Sequence, residues 1–249
     1  HPVGAEFNYE TLRMEMTSFA DIFFNPVAQV KFVHTVAAGY VTGSMFVLGI
    51  SSWYLLKGHD IGFARRSFSI ASAFGLASIL SVIVLGDESG YTSGETQKVK
   101  LAAIEAEWRT EEAPASFTLV GLPNQDAERT DYAIRIPWVL GLIATRSIDE
   151  PVAGLKELRD QSAEKIRNGM AAYAELQKLR AGDRSETTRA AFDAHKADLD
   201  YGLLLKKYTE QVVDADERMI ARAASDSLPK VAPLFWTFRI MVACGFTML

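Results

Sequence analysis

The sequence is poor in cysteine and histidine, with one Cys and four His in 249 residues. The single Cys244 excludes an intrachain disulfide and, lying in an apolar block, says little about compartment. No basic stretch followed by an apolar run opens the chain, so no secretory signal peptide is expected. The chain starts at His1 rather than Met and stops inside an apolar block, which predicts a piece of a longer membrane protein. Internal repeats and low-complexity tracts are also lacking. The most informative absence is that of charge over long stretches. Residues 32–56 hold no formally charged side chain, only His34 as an ionisable exception, and residues 67–86 hold none at all. A third apolar block, residues 231–249, is interrupted only by Arg239. A net charge of −5 and 49% hydrophobic residues would suit a soluble protein if spread evenly. Gathered into blocks near the roughly 20 residues that cross a hydrocarbon layer, they predict membrane helices instead.

This pattern divides the chain into six parts. Residues 1–24, mixed polar and aromatic, read as an outer-side interfacial segment. Asn25-Pro26 gives a helix start, and residues 25–56 form the first span. The link of residues 57–66 carries Lys57, Arg65 and Arg66 against Asp60, a positive excess that places it in the cytoplasm. Residues 67–86 form the second span, which leaves the membrane near Gly86. Residues 87–230 are then an external loop, periplasmic in a Gram-negative bacterium, and residues 231–249 begin a third span. Within the loop, residues 97–108 read as a short helix, and Ala113-Pro114 and Leu122-Pro123-Asn124 as breaks. Residues 151–179 have helical periodicity through Leu155, Leu158, Ile166, Met170 and Tyr173. Ala181-Gly182-Asp183 ends that helix, and residues 185–205 supply a partner helix. The expected fold class is all-α: an integral membrane helical bundle with a mainly helical external loop.

Ionisable residues inside a span are costly and usually functional, which singles out His34; the plain alternative is a neutral histidine hydrogen-bonded to a neighbouring helix. Counted from Asn25, His34 lies about 14 Å along its helix, and Met241 lies about 15 Å along the third, at ~1.5 Å per residue. An imidazole and a thioether at matching depth suit the axial pair of a six-coordinate electron-transfer haem, although a lone membrane Met is usually packing. Arg239, two residues from Met241, needs an anionic partner. A haem propionate, a nearby carboxylate, or an acidic residue on a further helix would serve. Gly39 and Gly43 form a small-xxx-small pair that would let a macrocycle or a helix approach closely. Outside the membrane, Gly86-Asp87-Glu88-Ser89-Gly90 and residues 97–108 gather carboxylates, lysines and Trp108 at the surface. This suits a quinol, whose oxidation needs a proton acceptor; an interfacial helix with solvated charges is the plainer reading. Lys100 and Glu105 are about 140° apart on a regular helix, so they share one head group only across it.

These stretches closely resemble subunit I of the cytochrome bd ubiquinol oxidase family along the length of the chain. The resemblance rests on His1-Pro2-Val3-Gly4, on Asn25-Pro26-Val27-Ala28-Gln29-Val30-Lys31-Phe32-Val33-His34-Thr35 and on Gly86-Asp87-Glu88-Ser89-Gly90. Lys100-Leu101-Ala102-Ala103-Ile104-Glu105 and Phe238-Arg239-Ile240-Met241-Val242-Ala243-Cys244-Gly245 complete it. It implies that His34 and Met241 are the axial ligands of a low-spin haem b, that Arg239 tunes that haem, and that Lys100 and Glu105 belong to a quinol-oxidising loop. Asp87 falls in the family's Gly-Asp signature at the base of that loop, among the residues expected near the cofactor. Lys98 stands where many members carry proline, and the helical hairpin near residues 151–205 resembles the long-loop subtype. The resemblance further implies a high-spin haem b and a haem d held by helices outside this window, so the oxygen-reducing centre lies elsewhere. It also implies ubiquinol or menaquinol as donor, a second oxidase subunit with small accessory subunits, lipid contacts, no nucleic acid, and a multi-pass place in the bacterial cytoplasmic (inner) membrane.

Two other readings fit the residues. One is a different membrane cytochrome b, such as a quinol dehydrogenase subunit. These often use two histidines per haem, so replacing Met241 separates the cases. The other is a membrane sensor with an external ligand-binding loop and a structural His34, separated by an assay for b haem.

Overall fold

The computed structural model describes residues 3–249; His1 and Pro2 of the opening motif lie outside the described residues. A short antiparallel ribbon, β1 (Ala5–Asn8) and β2 (Arg13–Met16), leads into α1 (Phe19–Phe23) and then α2 (Pro26–Lys57). Asn25 caps α2, its side-chain oxygen accepting from the Val27 N–H at 3.0 Å, with Pro26 pre-set in the first turn. Gly58, in the left-handed conformation, closes the other end.

The long helix α3 (Ile61–Thr96) packs back on α2, and both are long and apolar enough to cross a membrane. Their seam is built of small residues: Ala37, Val41, Ser44 and Ser51 against Ala64, Ala71, Gly75 and Ser78. Lipid gives helices no hydrophobic reason to associate, so close backbone approach has to hold them together. Large side chains such as Phe32, Phe46, Phe63, Ile70 and Val84 point outward and exposed, as a lipid-facing surface requires.

Two sequence boundaries move. The expected link of residues 57–66 shrinks to residues 58–60, because α3 already begins at Ile61 and carries Arg65 and Arg66. The second helix does not end at Gly86 but continues to Thr96. Its polar end is held by its own side chains: Thr92 donates to the Glu88 carbonyl at 2.9 Å and Tyr91 donates to Glu95 at 3.0 Å.

The polar region from residue 97 onward is mainly helical, as expected, but it also contains a ribbon. Helix α4 (Lys98–Glu105) is followed by β3 (Phe117–Asn124) and β4 (Arg129–Ile136), paired antiparallel with two register shifts. Leu122-Pro123-Asn124 is therefore part of a strand and not a break; in a two-stranded ribbon every strand is an edge, where proline is tolerated. Then come α5 (Val139–Ala144), α6 (Leu155–Arg180), α7 (Glu186–His195), α8 (Leu199–Leu203), α9 (Glu217–Asp226) and α10 (Val231–Thr247). The partner helix expected over residues 185–205 is broken by a 3-10 turn at Lys196–Asp198. The break lets α8 turn back against α6, where Gly169 and Gly202 meet backbone to backbone: a Cβ on Gly169 would stand 2.3 Å from the Gly202 nitrogen.

Four apolar clusters hold this region. The one that positions the site joins Ala102, Ala103, Ala106 and Trp108 to Leu155, Leu158, Val231 and Phe235, locking α4 between α6 and α10. At the far end, Phe7 and Tyr9 of the first ribbon pack on Phe192 of α7.

Candidate functional site

Arg239 lies on α10 with its side chain almost wholly buried, and its partner is Glu105 at the end of α4. Nη2 donates to Glu105 Oε2 at 2.9 Å and also to the Thr118 carbonyl. Nε donates to the same carbonyl at 3.0 Å, and Nη1 donates to the carbonyls of Ile104 at 2.8 Å and Phe235 at 3.3 Å. All five guanidinium N–H groups are thus taken. The cation also sits 3.5 Å over the Phe235 ring. Of the three partners considered for Arg239, the structure supplies the carboxylate, and supplies it from within this chain. Glu105 is 2% exposed. Burial pushes its carboxyl above the ordinary range, while the adjacent guanidinium pulls the other way.

Lys100 stands apart from this pair. It is exposed and lines an open cleft of about 720 Å³ with Thr96, Lys98, Leu158, Lys165 and Tyr201. The helical arithmetic that set Lys100 and Glu105 about 140° apart therefore describes the fold: one faces the cleft, the other the packed side. Asp87 is more than half exposed on α3, with its carboxylate 3.9 Å from Arg146, whose guanidinium bonds Glu88 and lies 4.2 Å over the Tyr91 ring.

His34 lies on α2 against α3. Neither ring nitrogen has a hydrogen-bond partner among the described residues, and Nδ1 is buried. A Cβ on Gly86 would come within 3.3 Å of the His34 Cε1, so the glycine of the Gly-Asp signature makes room for this imidazole. Gly39 and Gly43 are read from the sequence as a pair that would let a macrocycle or another helix approach. Both positions are open, with nothing within 4 Å of where a Cβ would stand. Gly43 also falls about 180° around the helix from His34, so the pair faces elsewhere. Met241 is 54% exposed on α10. That helix packs mainly on α4 and β3, whereas α2 packs on α3, so the two residues stand on separate packing units.

Two buried polar groups escaped the sequence reading. Glu107, 3% exposed, has an unpartnered Oε1, and the Thr118 hydroxyl is likewise buried and unpartnered. Burial, with Glu111 and Glu105 nearby, pushes the Glu107 carboxyl up to about 8. A carboxylate next to Trp108 in a charged stretch reads as solvated, but the fold buries it, with the Leu155 N–H donating to the Glu107 carbonyl at 2.9 Å.

The family model for cytochrome bd terminal oxidase subunit I matches residues 1–249. The chain belongs to that family. It is 48% identical over its whole length to subunit 1 of the cytochrome bd-II ubiquinol oxidase of Escherichia coli (strain K12), covering 48% of that protein. It is 27% identical over 248 residues to subunit 1 of the cytochrome bd ubiquinol oxidase of Bacillus subtilis (strain 168), covering 41% of it. The chain thus spans about half the length, or less, of these curated relatives. The bd oxidase structure from Geobacillus thermodenitrificans matches the whole chain and 61% of its own, with a TM-score of 0.55 and 20% identity, a likeness of fold. A cytochrome is a haem protein, so the family implies haem. His34 and Met241 carry donor types that haem iron takes, an imidazole without a hydrogen-bond partner among the described residues and an exposed thioether.

Proposed function

We propose that this chain forms the quinol-oxidising side of a terminal oxidase that passes electrons from quinol to oxygen, with the loop of residues 87–230 on the periplasmic face of the bacterial inner membrane. His34 and Met241 would hold a low-spin haem b. When bound between an imidazole and a thioether, such a group would supply single-electron transfer at a raised potential. The high-spin haem b, haem d and the second subunit belong to the parts of the oxidase beyond this chain.

The observation that carries the reading is the Glu105–Arg239 ion pair. It joins the loop helix directly to α10, two residues from Met241. Lys100 and Glu105 face different sides of α4 and therefore divide the work. In the cleft, the ammonium of Lys100 attracts and orients the polar head group. At the packed end, Glu105 receives the proton that quinol gives up with its electron, and Arg239 holds that carboxyl in place. Arg239 acts on the cofactor through its charge, since its N–H groups are already occupied. Asp87 and Glu88 fix the base of the loop through Arg146.

The test uses the whole oxidase with quinol and, separately, with an artificial one-electron donor that releases no proton. Lys100→Ala is expected to raise KM for quinol roughly tenfold, and Glu105→Gln to lower kcat roughly tenfold, with oxygen reduction from the artificial donor retained. Equal losses with both donors would mean a general defect, and the quinol assignment would fall.

A further inference from the structure

Beyond α4 the chain turns through Ala106, in the left-handed conformation, and Glu107 N donates back to the Ala102 carbonyl at 2.8 Å. This turn brings the Glu107 side chain inward, between the Glu105–Arg239 pair and Glu111. Charges do not enter such a place without a reason, since an unpaired buried carboxylate is costly. Glu105 pairs with Arg239, but among the described residues Glu107 has no ion-pair partner and its Oε1 accepts no hydrogen bond. The charged groups that act on it are chiefly Glu111, then Arg135 and Glu105. Arg239 also senses its charge. Glu111 stands at the edge of water: its side chain is 23% exposed, and it accepts from the Ser116 N–H at 3.1 Å, from the Ser116 hydroxyl, and from Arg135 Nη1 at 3.3 Å. Arg135 itself is 43% exposed. Of the three carboxyls, Glu105 and Glu107 are buried and Glu111 is part-exposed, and the Glu107 Oε1 has no partner among the described residues.

We infer that Glu107 is the proton relay of this site, taking the proton that Glu105 receives from quinol and handing it to Glu111 for release to water outside. This role rests on the quinol reading above. Each transfer breaks one O–H bond and forms another between carboxyls. The electrons leave separately toward α10, so each quinol sends out two protons by this route, and each carboxyl ends as it began. The unpartnered oxygen is what a relay needs, because a carboxyl locked by a cation on both oxygens cannot take up a proton. To take the proton, Glu111 must give up its 3.3 Å contact with Arg135, and its partial exposure then lets the proton pass to solvent.

The experiment is Glu107→Gln in the whole oxidase, assayed from pH 6 to 9 with quinol and with the proton-free artificial donor. Quinol-driven kcat is expected to fall at least fivefold at pH 7, with KM unchanged and the artificial-donor rate retained. The parent rate should climb as Glu107 loses its proton near pH 8, and the variant should lose that climb. A variant rate within twofold of the parent with the same pH profile would overturn the inference, as would equal loss with both donors. If Lys100→Ala and Glu105→Gln impair quinol oxidation while Glu107→Gln does not, only the relay fails. If all three leave it unchanged, the quinol site itself is elsewhere. Should Glu107→Gln fail to assemble, Glu107→Asp decides: it keeps the acid on a shorter arm, so a displaced pH climb supports the relay and an unaltered one refutes it.

Discussion

Removing Arg239 is the most demanding test of the buried pair it forms with Glu105. Arg239→Leu strips Glu105 of its only cation and leaves the carbonyls of Ile104, Thr118 and Phe235 without the N–H groups that met them. Glu105 is 2% exposed, so the remaining carboxylate cannot turn to water. Breaking one side of a buried ion pair costs about 3–5 kcal/mol, chiefly because the surviving charge is stranded. The double variant Arg239→Leu with Glu105→Leu removes that charge as well, and should be more stable than Arg239→Leu alone. The measurement is a double-mutant cycle on the purified oxidase in detergent, following denaturant unfolding by loss of its visible absorption. A coupling of about 2 kcal/mol or more is expected. Additive losses, with the double variant the least stable of the three, would refute the claim that the pair is a unit. Arg239→Lys should recover only part of the loss, because an ammonium has three donors and cannot span Glu105 and three carbonyls at once.

Two further outcomes are expected. Gly86→Val should crowd the His34 ring, since even the first carbon would stand 3.3 Å from Cε1; overpacking of this kind costs about 1–3 kcal/mol. An unaltered low-spin visible spectrum in that variant would count against the role given to Gly86. Gly169→Ala should open the crossing of α6 and α8, where the added carbon meets backbone at 2.3 Å. Faster cleavage within residues 151–226 by a dilute protease, with the haem spectrum preserved, would be the sign of it.

The membrane helices were legible because long uncharged runs have few other uses in a folded chain. Their ends were less so. Asp87 and Glu88 look like an exit from the helix, yet α3 continues through them to Thr96, with Glu88 paired to Arg146. The ribbon of β3 and β4 escaped notice because Gly121 and Pro123 interrupt the alternation that marks a strand, and two register shifts follow from that. Lys100 and Glu105 were rightly set on different faces of a helix. The partner of Arg239 was not legible, because it lies 134 residues earlier and local pattern carries no record of such a pairing. Glu107 was missed for the same reason: its burial comes with packing against distant parts of the chain, such as Leu155, and not from its neighbours in sequence.

The span of that ion pair also bears on how the protein is made. Glu105 leaves the ribosome 134 residues ahead of Arg239, and the whole of the outer region is synthesised between them. The start of α10 is fastened to the tip of the ribbon, where Val231 N donates to the Gln125 side chain at 3.0 Å, and its next turn packs through Phe235 on α4. An arginine alone enters a bilayer reluctantly, at about 2.5–3.5 kcal/mol on insertion scales. Here its counter-charge is already waiting at the membrane surface if the outer region has folded first. An order of assembly is the expectation that follows: the fold around α4 receives α10, and a defect in that fold would surface as a misplaced α10.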